Sequence, residues 1–575
     1  MRFLVALILL IFTTLSYGHE TYCPQVKFNG KKIDFSKTEI QLFCGDPKSH
    51  AWKKIPAYEA EVVIRGFLQS RGYLSPRFEV KDEVLHVTKG RKSIVKKVKV
   101  ISHDENLAKK IKREIRRLYQ GRELTTSMLN SIEAEVIAQI RRKGRPCGKA
   151  SSEVDVNTDT VTILLDPKEK HVFGKIKTEE IKGLHETALE RFYPMNEHQR
   201  FDGDLLTLTE RRMLRAQVVS GTYFLESCAD DGKEFSLEQR FIPGPPRTLR
   251  FGAGASTEMG PIARARWSNN RWGPMASLLS ASAEASFREQ LLNMVVDYYA
   301  WKSNPRQSIT GLAELSRDSQ FEFEQLQTRA RTQMKWTTDI HENGIIGILG
   351  PGYDYGTFAS ASKTNTQSFS TGVIEGSLQR MSHDYEIYDI HPQEGEQERL
   401  TLYYVNPTLG FKQSLTRVDT SIVRLARLMN SGRGAIIGGA RLKAGTSFVR
   451  ANTDPGGLPP DMKFFGGGSD DIRGYLLNTL PKNGGAGALT RLVGKFEARR
   501  THFFLESLEG FTFLDAGYFS ERSFAIDRRM FYSPGVGMRW LSPIGVVETY
   551  WARAFASNPY QDNGNFFFAG IGGNF

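Results

Sequence analysis

The stretch from Phe464 to Tyr475 reads FFGGGSDDIRGY, and the interpretation of the whole chain depends on it. Two aromatic residues and three glycines precede two acids, and an arginine, Arg473, follows them within the tetrapeptide IRGY. By itself this tetrapeptide fits any turn that contains a glycine. The segments that surround it therefore decide what it means.

The segment 247–575 has the pattern of a β-structure. Short stretches that alternate apolar with polar residues are separated by Gly, Asn, Asp and Pro; Phe511 to Phe519 and Val546 to Phe555 are examples. Each stretch approaches the roughly 9–11 residues that a tilted strand needs to cross a bilayer. At about 20 residues for a strand and its turn, the segment predicts an all-β transmembrane barrel of about 16 antiparallel strands. A large soluble β domain is the alternative.

Residues 1–18 are typical of an export signal. Met1 and Arg2 give a positive start, an acid-free apolar run follows to Leu15, and Gly18 ends a stretch suited to signal-peptide cleavage. The run is shorter than the roughly 20 apolar residues that span a bilayer. A buried N-terminal helix or a membrane anchor is the alternative. An exported chain can still enter a membrane as a closed barrel, because a barrel pairs every backbone group internally.

A weak repeat precedes the barrel segment. A helical run, a glycine turn and strand-like residues occur in this order three times, and the turn glycines are Gly72, Gly144 and Gly221. The middle copy shows the order β-α-α-β-β most clearly, so the repeats predict three small α+β domains. The predicted division is a signal peptide at 1–18, repeats at 19–90, 91–169 and 170–243, and the barrel at 247–575. The free edge of such a sheet can accept an extended peptide, although inert spacers are the alternative.

The positive charge of the chain is concentrated in one stretch. The formal net charge is +13, and between Lys89 and Lys149 there are 18 Lys or Arg residues against 6 Asp or Glu residues. In a cytosolic protein such a patch would suggest nucleic acid, but the export signal argues against a nucleic-acid partner. The patch fits anionic lipid head groups or an acidic partner, and a solvated helix face is an equal alternative.

The four cysteines fit an oxidising compartment. Cys23 and Cys44 could close a local loop there, whereas Cys147 and Cys228 could pair only if their domains touch. Small buried apolar residues are the alternative for all four, and their spacing matches no zinc motif.

The sequence carries no recognisable catalytic motif. It lacks the phosphate-binding GxxxxGK[ST] pattern, HExxH and GxSxG, and its 11 histidines form no ligand-like cluster. We therefore expect no enzyme activity, no metal and no cofactor.

Together these segments resemble the outer-membrane assembly-factor superfamily, in which POTRA repeats precede a sixteen-stranded barrel. The resemblance rests on Phe464 to Tyr475, followed by a strand that contains Glu497 (GKFEAR) and another that contains Asp515 (FTFLDAG). In that family the Arg-Gly-aromatic tip lies on a long extracellular loop that folds back into the barrel lumen. The resemblance implies that Asp515 holds Arg473, with Glu497 as the second candidate. A guanidinium in a lumen needs such a partner, because removing one member of a buried pair costs on the order of 3–5 kcal/mol.

The same resemblance implies roles for further residues in loop docking and barrel integrity rather than in catalysis. In the tetrapeptide that begins at Ile472, Gly474 would permit a tight backbone approach, and Tyr475 would pack against the inner wall. The motif glycines are Gly466, Gly467, Gly468 and Gly517.

The C-terminus partly matches the signal that targets such barrels for their own insertion. Gly570 and the last residue, Phe575, suit this signal, whereas Gly573 occupies a position that is usually bulky and apolar. Phe575 could also be a residue of the aromatic girdle.

The first and last strands of the barrel are expected to meet in a weak seam. The seam would join the strand near Thr248 to Ala255 with the strand near Phe566 to Phe575. Glycines at 570, 572 and 573 give the last strand little side-chain packing. We therefore expect that the seam can open and expose a strand edge to a client strand.

Three repeats point to the TamA branch of the superfamily. Two stretches resemble that branch, from Arg250 to Trp267 and from Gly535 to Gly545. The resemblance implies an outer-membrane protein that inserts or translocates barrel and autotransporter-type clients without nucleotide. It also implies contact with outer-membrane lipid, and a TamB-like partner that is anchored in the inner membrane and reaches the first repeat. A dedicated two-partner-type secretion transporter, lipid transport between envelope membranes and a passive porin are the alternatives.

Overall fold

The computed structural model describes residues 26–29, 35–45, 55–228, 233–360, 366–388, 391–406, 414–431, 434–449, 457–527, 529–543, 545–557 and 564–572. The predicted signal peptide at 1–18, Cys23, Gly573 and Phe575 lie outside these residues. The described chain forms two compact units. One contains the residues up to 137 together with 150–166, and the other contains 138–149 together with the residues from 167 onwards.

The described chain begins with two small α+β modules, each in the predicted order β-α-α-β-β. Module 1 consists of β1 (Val26–Asn29), α1 (Lys37–Cys44), α2 (Ala57–Ser70), β2 (Arg77–Lys81) and β3 (Val84–Thr88). Module 2 consists of β4 (Lys97–Ile101), α3 (Glu105–Tyr119), α4 (Thr126–Arg142), β5 (Lys149–Asp155) and β6 (Thr160–Asp166). In each sheet the first strand pairs in parallel with the third strand, which lies in the centre.

The helix α3 shows why the modules fold as they do. Leu107, Ile111, Ile115 and Leu118 recur at three- and four-residue spacing, and all four are buried. The lysines and arginines between them are exposed, so the basic stretch includes the solvated face of this helix. Among the residues that the structure describes, no α-helix is both long and apolar enough to cross a bilayer.

Module 3 keeps the three-stranded sheet but has a 3-10 helix in place of the first α-helix. It consists of β7 (Val172–Thr178), the 3-10 helix (Glu186–Phe192), α5 (Gly203–Arg215), β8 (Gly221–Ser227) and β9 (Glu234–Ile242), in the sheet order β7-β9-β8. Pro194 follows the 3-10 helix closely and disfavours helical backbone at the residue before it, which keeps the helix short. A disulfide joins Cys147 to Cys228, just after β8, a pairing that the sequence left open.

A closed barrel of sixteen antiparallel strands follows module 3, as predicted. The strands are β10 (Arg247–Ser256), β11 (Gly260–Trp272), β12 (Ser277–Ala285), β13 (Glu289–Tyr298), β14 (Gln307–Ser319), β15 (Phe323–Ile340), β16 (Asn343–Ser360), β17 (Gln367–Ser382), β18 (Gly395–Asn406), β19 (Leu415–Ser431), β20 (Gly434–Val449), β21 (Thr490–Arg500), β22 (Leu508–Ser520), β23 (Met530–Ser542), β24 (Gly545–Arg553) and β25 (Asn565–Gly572). After a break at Ala554, β24 continues as Phe555–Ala556 in the same register on β23. We call the end of the barrel where β10 begins the module end, and the opposite end the loop end.

Side chains alternate across the barrel wall. Large apolar residues such as Phe251, Leu292 and Leu402 are exposed on the outside, and their neighbours in sequence face the inside. The inner face carries buried charged residues, including Arg331 and Asp354. An apolar outer face and a polar inner face are the pattern of a transmembrane barrel. The pattern favours this interpretation over a soluble β domain.

The longest connection of the barrel lies between β20 and β21, and we call its described part, residues 457–489, the lumen loop. Five of its apolar residues are buried and form one cluster with residues of the wall. The cluster contains Phe464, Ile472, Tyr475, Leu480 and Ala488 of the loop, and Val493, Phe519, Phe531 and Ala554 of the wall. The lumen loop therefore lies inside the barrel, against β21, β22 and β23.

Candidate functional site: the lumen loop and the barrel seam

Arg473 is held inside the barrel by two carboxylates. Its Nε and Nη2 donate to Oδ2 and Oδ1 of Asp515 at 2.8 and 2.9 Å, and its Nη1 donates to Oε2 of Glu497 at 2.8 Å. The backbone N–H of Arg473 also donates to Asp515 Oδ2, at 3.1 Å. Arg473 is 3% exposed and Asp515 is 0% exposed. Such a bidentate, buried pair fixes the loop tip, because moving either charge away leaves the other unpaired.

Aromatic rings connect the loop tip to the last strand. The guanidinium carbon of Arg473 lies 3.4 Å from the centroid of the Phe513 ring. The ring of Tyr550 meets Phe513 edge-on at 5.6 Å and stacks on Phe568 at 4.8 Å. Because Phe568 belongs to β25, these contacts form a continuous path from the loop to the seam strand.

Two glycines make room for the loop tip. A Cβ on Gly517 would lie 2.8 Å from Ile472 Cδ1, and a Cβ on Gly474 would lie 2.5 Å from Ser533 Oγ. A side chain at either position would therefore push the motif away from the wall.

The glycine run before the motif shapes the loop backbone. Gly467 and Gly468 have φ angles of +98° and +85°, a left-handed conformation that residues with a side chain rarely adopt. The backbone N–H of Gly466 donates to Leu480 O at 2.9 Å, and the N–H of Leu480 donates back at 3.0 Å. These two hydrogen bonds bring the backbone at Gly466 next to that at Leu480, so residues 467–479 form a closed turn that faces the wall.

Loop acids that the sequence analysis did not single out also anchor the lumen loop. Lys443 Nζ donates to Asp470 Oδ2 at 2.8 Å and to Asp471 Oδ1 at 2.6 Å. Asp461 pairs with Arg329 of β15. The sequence offered a signal for two of these acids, because Asp470 and Asp471 lie within the stretch Phe464 to Tyr475 that carries the motif.

The seam between β10 and β25 is short. Only two residue pairs join these strands in the described chain, Ala255 with Ile571 and Ser256 with Gly570. By contrast, eight residue pairs join β24 to β25, and ten join β10 to β11. Gly254 still lies against Ile571 and Gly572, but from 247 to 253 β10 has no strand on its seam side among the described residues. A β-edge without a partner leaves backbone donors and acceptors available for another strand.

The lumen loop contacts the barrel on both sides of the strand β25. The N–H and Oγ of Ser469 donate to Oε1 and Oε2 of Glu258, both at 2.8 Å, and Glu258 lies in the turn after β10. The hydroxyl of Tyr475 donates to the backbone oxygen of Phe555 at 2.6 Å, and Phe555 lies in the continuation of β24, the other neighbour of β25. The loop therefore ties the turn after β10 to β24, and the seam strand β25 lies between them.

Module 3 is tied to the barrel by a buried ion cluster. Nη2 of Arg212 in α5 lies 2.7 Å from Asp339 Oδ1 and 2.9 Å from Glu386 Oε2. His383 Nε2 lies 3.2 Å from the same Asp339 oxygen. Burial alone would lower the pKa of Arg212, but its hydrogen bonds to Glu386 and Asp339 raise that pKa above the usual range. Arg212 thus stays charged and holds module 3 at the module end.

The remaining residues singled out from the sequence lie apart from the loop. Gly570 is in the seam opposite Ser256, and a Cβ there would lie 2.9 Å from the ring of Phe568. Cys44 is buried in module 1, and its pairing with Cys23 remains a prediction because Cys23 lies outside the described residues. Within the described ranges, no group of three or more His, Cys, Asp or Glu residues could hold a metal ion.

Comparison with known proteins agrees with this architecture. The Omp85 superfamily domain matches residues 273–575. The structure of BamA from Haemophilus ducreyi lacking POTRA domains 1–3 is similar, with a TM-score of 0.50 and 14% identity over 84% of this chain and 100% of that chain. CdiB from Escherichia coli matches with a TM-score of 0.49 and 11% identity over 89% of this chain and 96% of that chain. With more than half of its residues matched by the family domain, the chain belongs to the Omp85 superfamily.

Proposed function

We propose that this protein inserts or translocates β-rich client proteins at the outer membrane by opening its seam, without nucleotide. Family membership and the apolar outer face of the barrel support an outer-membrane location. The observation that carries the proposal is the seam itself, where two residue pairs of the described residues join β10 to β25, whereas the neighbouring strand pairs have eight and ten.

The proposed mechanism uses the edge of β10 at 247–253, where no described residue pairs with it. When the seam opens, a client strand pairs with this edge, because unpaired backbone groups accept an extended chain in register. The client then moves sideways into lipid, and pairing keeps its backbone groups satisfied during the transfer. In this scheme Arg473, Asp515 and Glu497 dock the lumen loop, and the docked loop holds the seam closed between clients.

The finer assignment is a TamA-like factor with barrel or autotransporter-type clients. The three modules would extend into the periplasm, where a TamB-like partner, anchored in the inner membrane, would reach module 1. Its sheet ends in β2, which pairs only with β3 among the described residues and so offers an edge for an extended peptide. Gly570 and Phe575 would serve the protein's own targeting, and the outer face would contact outer-membrane lipid.

Depletion of the protein, followed by quantitative proteomics of outer membranes and culture fluid, tests the proposal. We expect several barrel or autotransporter proteins to disappear from the outer membrane. Loss of one secreted protein, with membrane proteins unchanged, would instead identify a dedicated two-partner-type transporter. An unchanged proteome with lipid redistributed between the envelope membranes would identify lipid transport as the main role.

A further inference from the structure

Two arginines near the seam face each other, and neither pairs with an acid among the residues that the structure describes. Arg250 of β10 lies directly opposite Arg266 of β11, and both side chains are exposed. Neither side chain has an ion pair or a hydrogen bond to the described residues. Arg264, two residues away on the same strand, differs because Glu284 holds it with two hydrogen bonds of 2.9 Å. Like charges directly opposite each other destabilise a strand pair, and the described part of the chain supplies no acid that offsets this repulsion.

The two arginines project toward the lumen beside the part of the β10 edge that has no described partner strand. Leu249 and Phe251, the neighbours of Arg250, are 60% and 72% exposed on the outer face. Side chains alternate along a strand, so Arg250 points inward. Its partner Arg266 lies on the same face as Arg264, which lines a cavity of about 650 Å³ inside the barrel. An incoming strand would therefore meet apolar side chains on its lipid side and two guanidinium groups on its inner side.

The direction of pairing determines which part of a client strand meets these arginines. β25 pairs with β10 in the antiparallel sense, and β10 begins at the module end with Arg247. A strand added to the same edge in the same sense has its C-terminal end near Arg247 and Arg250. Guanidinium groups bind carboxylates through paired hydrogen bonds. The chemistry that fits this position is thus a carboxylate near the C-terminal end of the client strand.

We propose that Arg250 and Arg266 form a carboxylate-binding site for a client strand aligned antiparallel on the β10 edge. The inference rests on the proposed function and adds a recognition element to it. The carboxylate comes either from the chain terminus of a C-terminal strand or from an acidic side chain on an inward position of an internal strand.

Binding of a synthetic peptide with the sequence 565–575, NFFFAGIGGNF, tests this site. The peptide has no acidic side chain, so its free acid carries one carboxylate and its C-terminal amide carries none. A third peptide is the amide with Asn574→Asp, which places an acid two residues beyond Gly572 and on the same face. Each carries an N-terminal fluorophore, and its affinity for the full-length protein in nanodiscs is measured by fluorescence anisotropy.

We expect the free acid to bind at least fivefold more tightly than the plain amide. The double variant Arg250→Gln with Arg266→Gln should remove this advantage and leave binding of the amide unchanged. Arg399→Gln, which neutralises a different arginine lining the lumen, is the matched control and should preserve the advantage. Tighter binding of the Asn574→Asp amide than of the free acid would identify an acidic side chain as the natural ligand.

Photo-crosslinking from position Ala253 separates failure of this site from failure of the proposed function. If no peptide crosslinks to β10, the edge does not bind strands and both ideas fail. If all three peptides crosslink with equal affinity and the double variant changes nothing, only the carboxylate site is wrong. The heat-dependent shift of the folded barrel in gel electrophoresis verifies that each variant is folded.

Discussion

The wall formed by β15 and β16 and the seam formed by β10 and β25 belong to one barrel but are built differently. Sixteen residue pairs join β15 to β16, whereas two join β10 to β25 in the described chain. Inside the wall, Arg331 lies 2.5 Å from Asp354 and 2.9 Å from Glu375. Beside the seam, Arg250 of β10 faces Arg266 of β11, and neither pairs with a described acid.

This difference means that one region keeps the barrel folded and another region determines whether the barrel is open or closed. The wall has long strand ladders and neutralised buried charges, so it can keep the barrel folded while the seam opens. The seam has two residue pairs and a hydrogen bond of 2.9 Å from the N–H of Thr257 to the backbone oxygen of Ala569, and the lumen loop adds contacts next to it, to Glu258 after β10 and to Phe555 in the continuation of β24. A barrel with equal pairing all round would have to lose much of a ladder before it exposed an edge.

The largest effect is expected from weakening the wall with Arg331→Ala. The substitution leaves Asp354 buried without its cation, and breaking such a pair costs on the order of 3–5 kcal/mol. The urea midpoint for loss of the heat-dependent gel shift should fall clearly, while Arg399→Ala should leave it near the wild-type value. An unchanged midpoint for Arg331→Ala would show that the ion pairs of the wall do not stabilise the barrel.

We expect Arg473→Ala to lower the stability of the barrel less than Arg331→Ala does. Its main effect should be to weaken the docking of the lumen loop. Asp515 then stays buried and unpaired, and the loop tip loses on the order of 3–5 kcal/mol of docking free energy. Tryptic cleavage after Lys463 or Lys482 should accelerate at least tenfold while the heat-dependent gel shift persists. Arg500→Ala removes an exposed arginine from β21 and serves as the control. Unchanged cleavage would contradict the role of Arg473 in docking.

The smallest effect is expected from Glu258→Gln, which changes only the contact between the lumen loop and the turn after β10. The change weakens two hydrogen bonds from Ser469 to a charged acceptor, worth about 1–2 kcal/mol together. Maleimide labelling of an Ile571→Cys reporter, at a half-buried position of the seam, should become roughly five- to thirtyfold faster, because the seam is open more often. Glu324→Gln, which is far from the seam on β15 and exposed, should not change the rate. Equal rates in both variants would mean that the lumen loop does not hold the seam.

The sequence predicted the barrel because its signals are local. The alternation from Phe511 to Phe519 falls within β22, and that from Val546 to Phe555 falls on β24 and its continuation. Helical spacing of apolar residues likewise predicted the α+β modules. The 3-10 helix of module 3 was not predicted, since its shortness depends on Pro194 and on packing rather than on periodicity.

The candidate site was only partly accessible from the sequence. Arg473, Asp515 and Glu497 were singled out by resemblance, and the structure places them together. The contact between Ser469 and Glu258 spans 211 residues, and no local pattern connects the two. The opposition of Arg250 and Arg266 depends on strand register, which alternation alone does not define.

Locking the seam tests the central claim most directly. Ala255→Cys with Ile571→Cys places a disulfide across the seam, where these residues are paired. Thr549→Cys with Ala569→Cys places one across the β24–β25 ladder as a matched control. We predict that oxidation of the first pair stops client assembly into the outer membrane, that a reductant restores it, and that the control pair has no effect. Full activity of the locked seam would contradict the account.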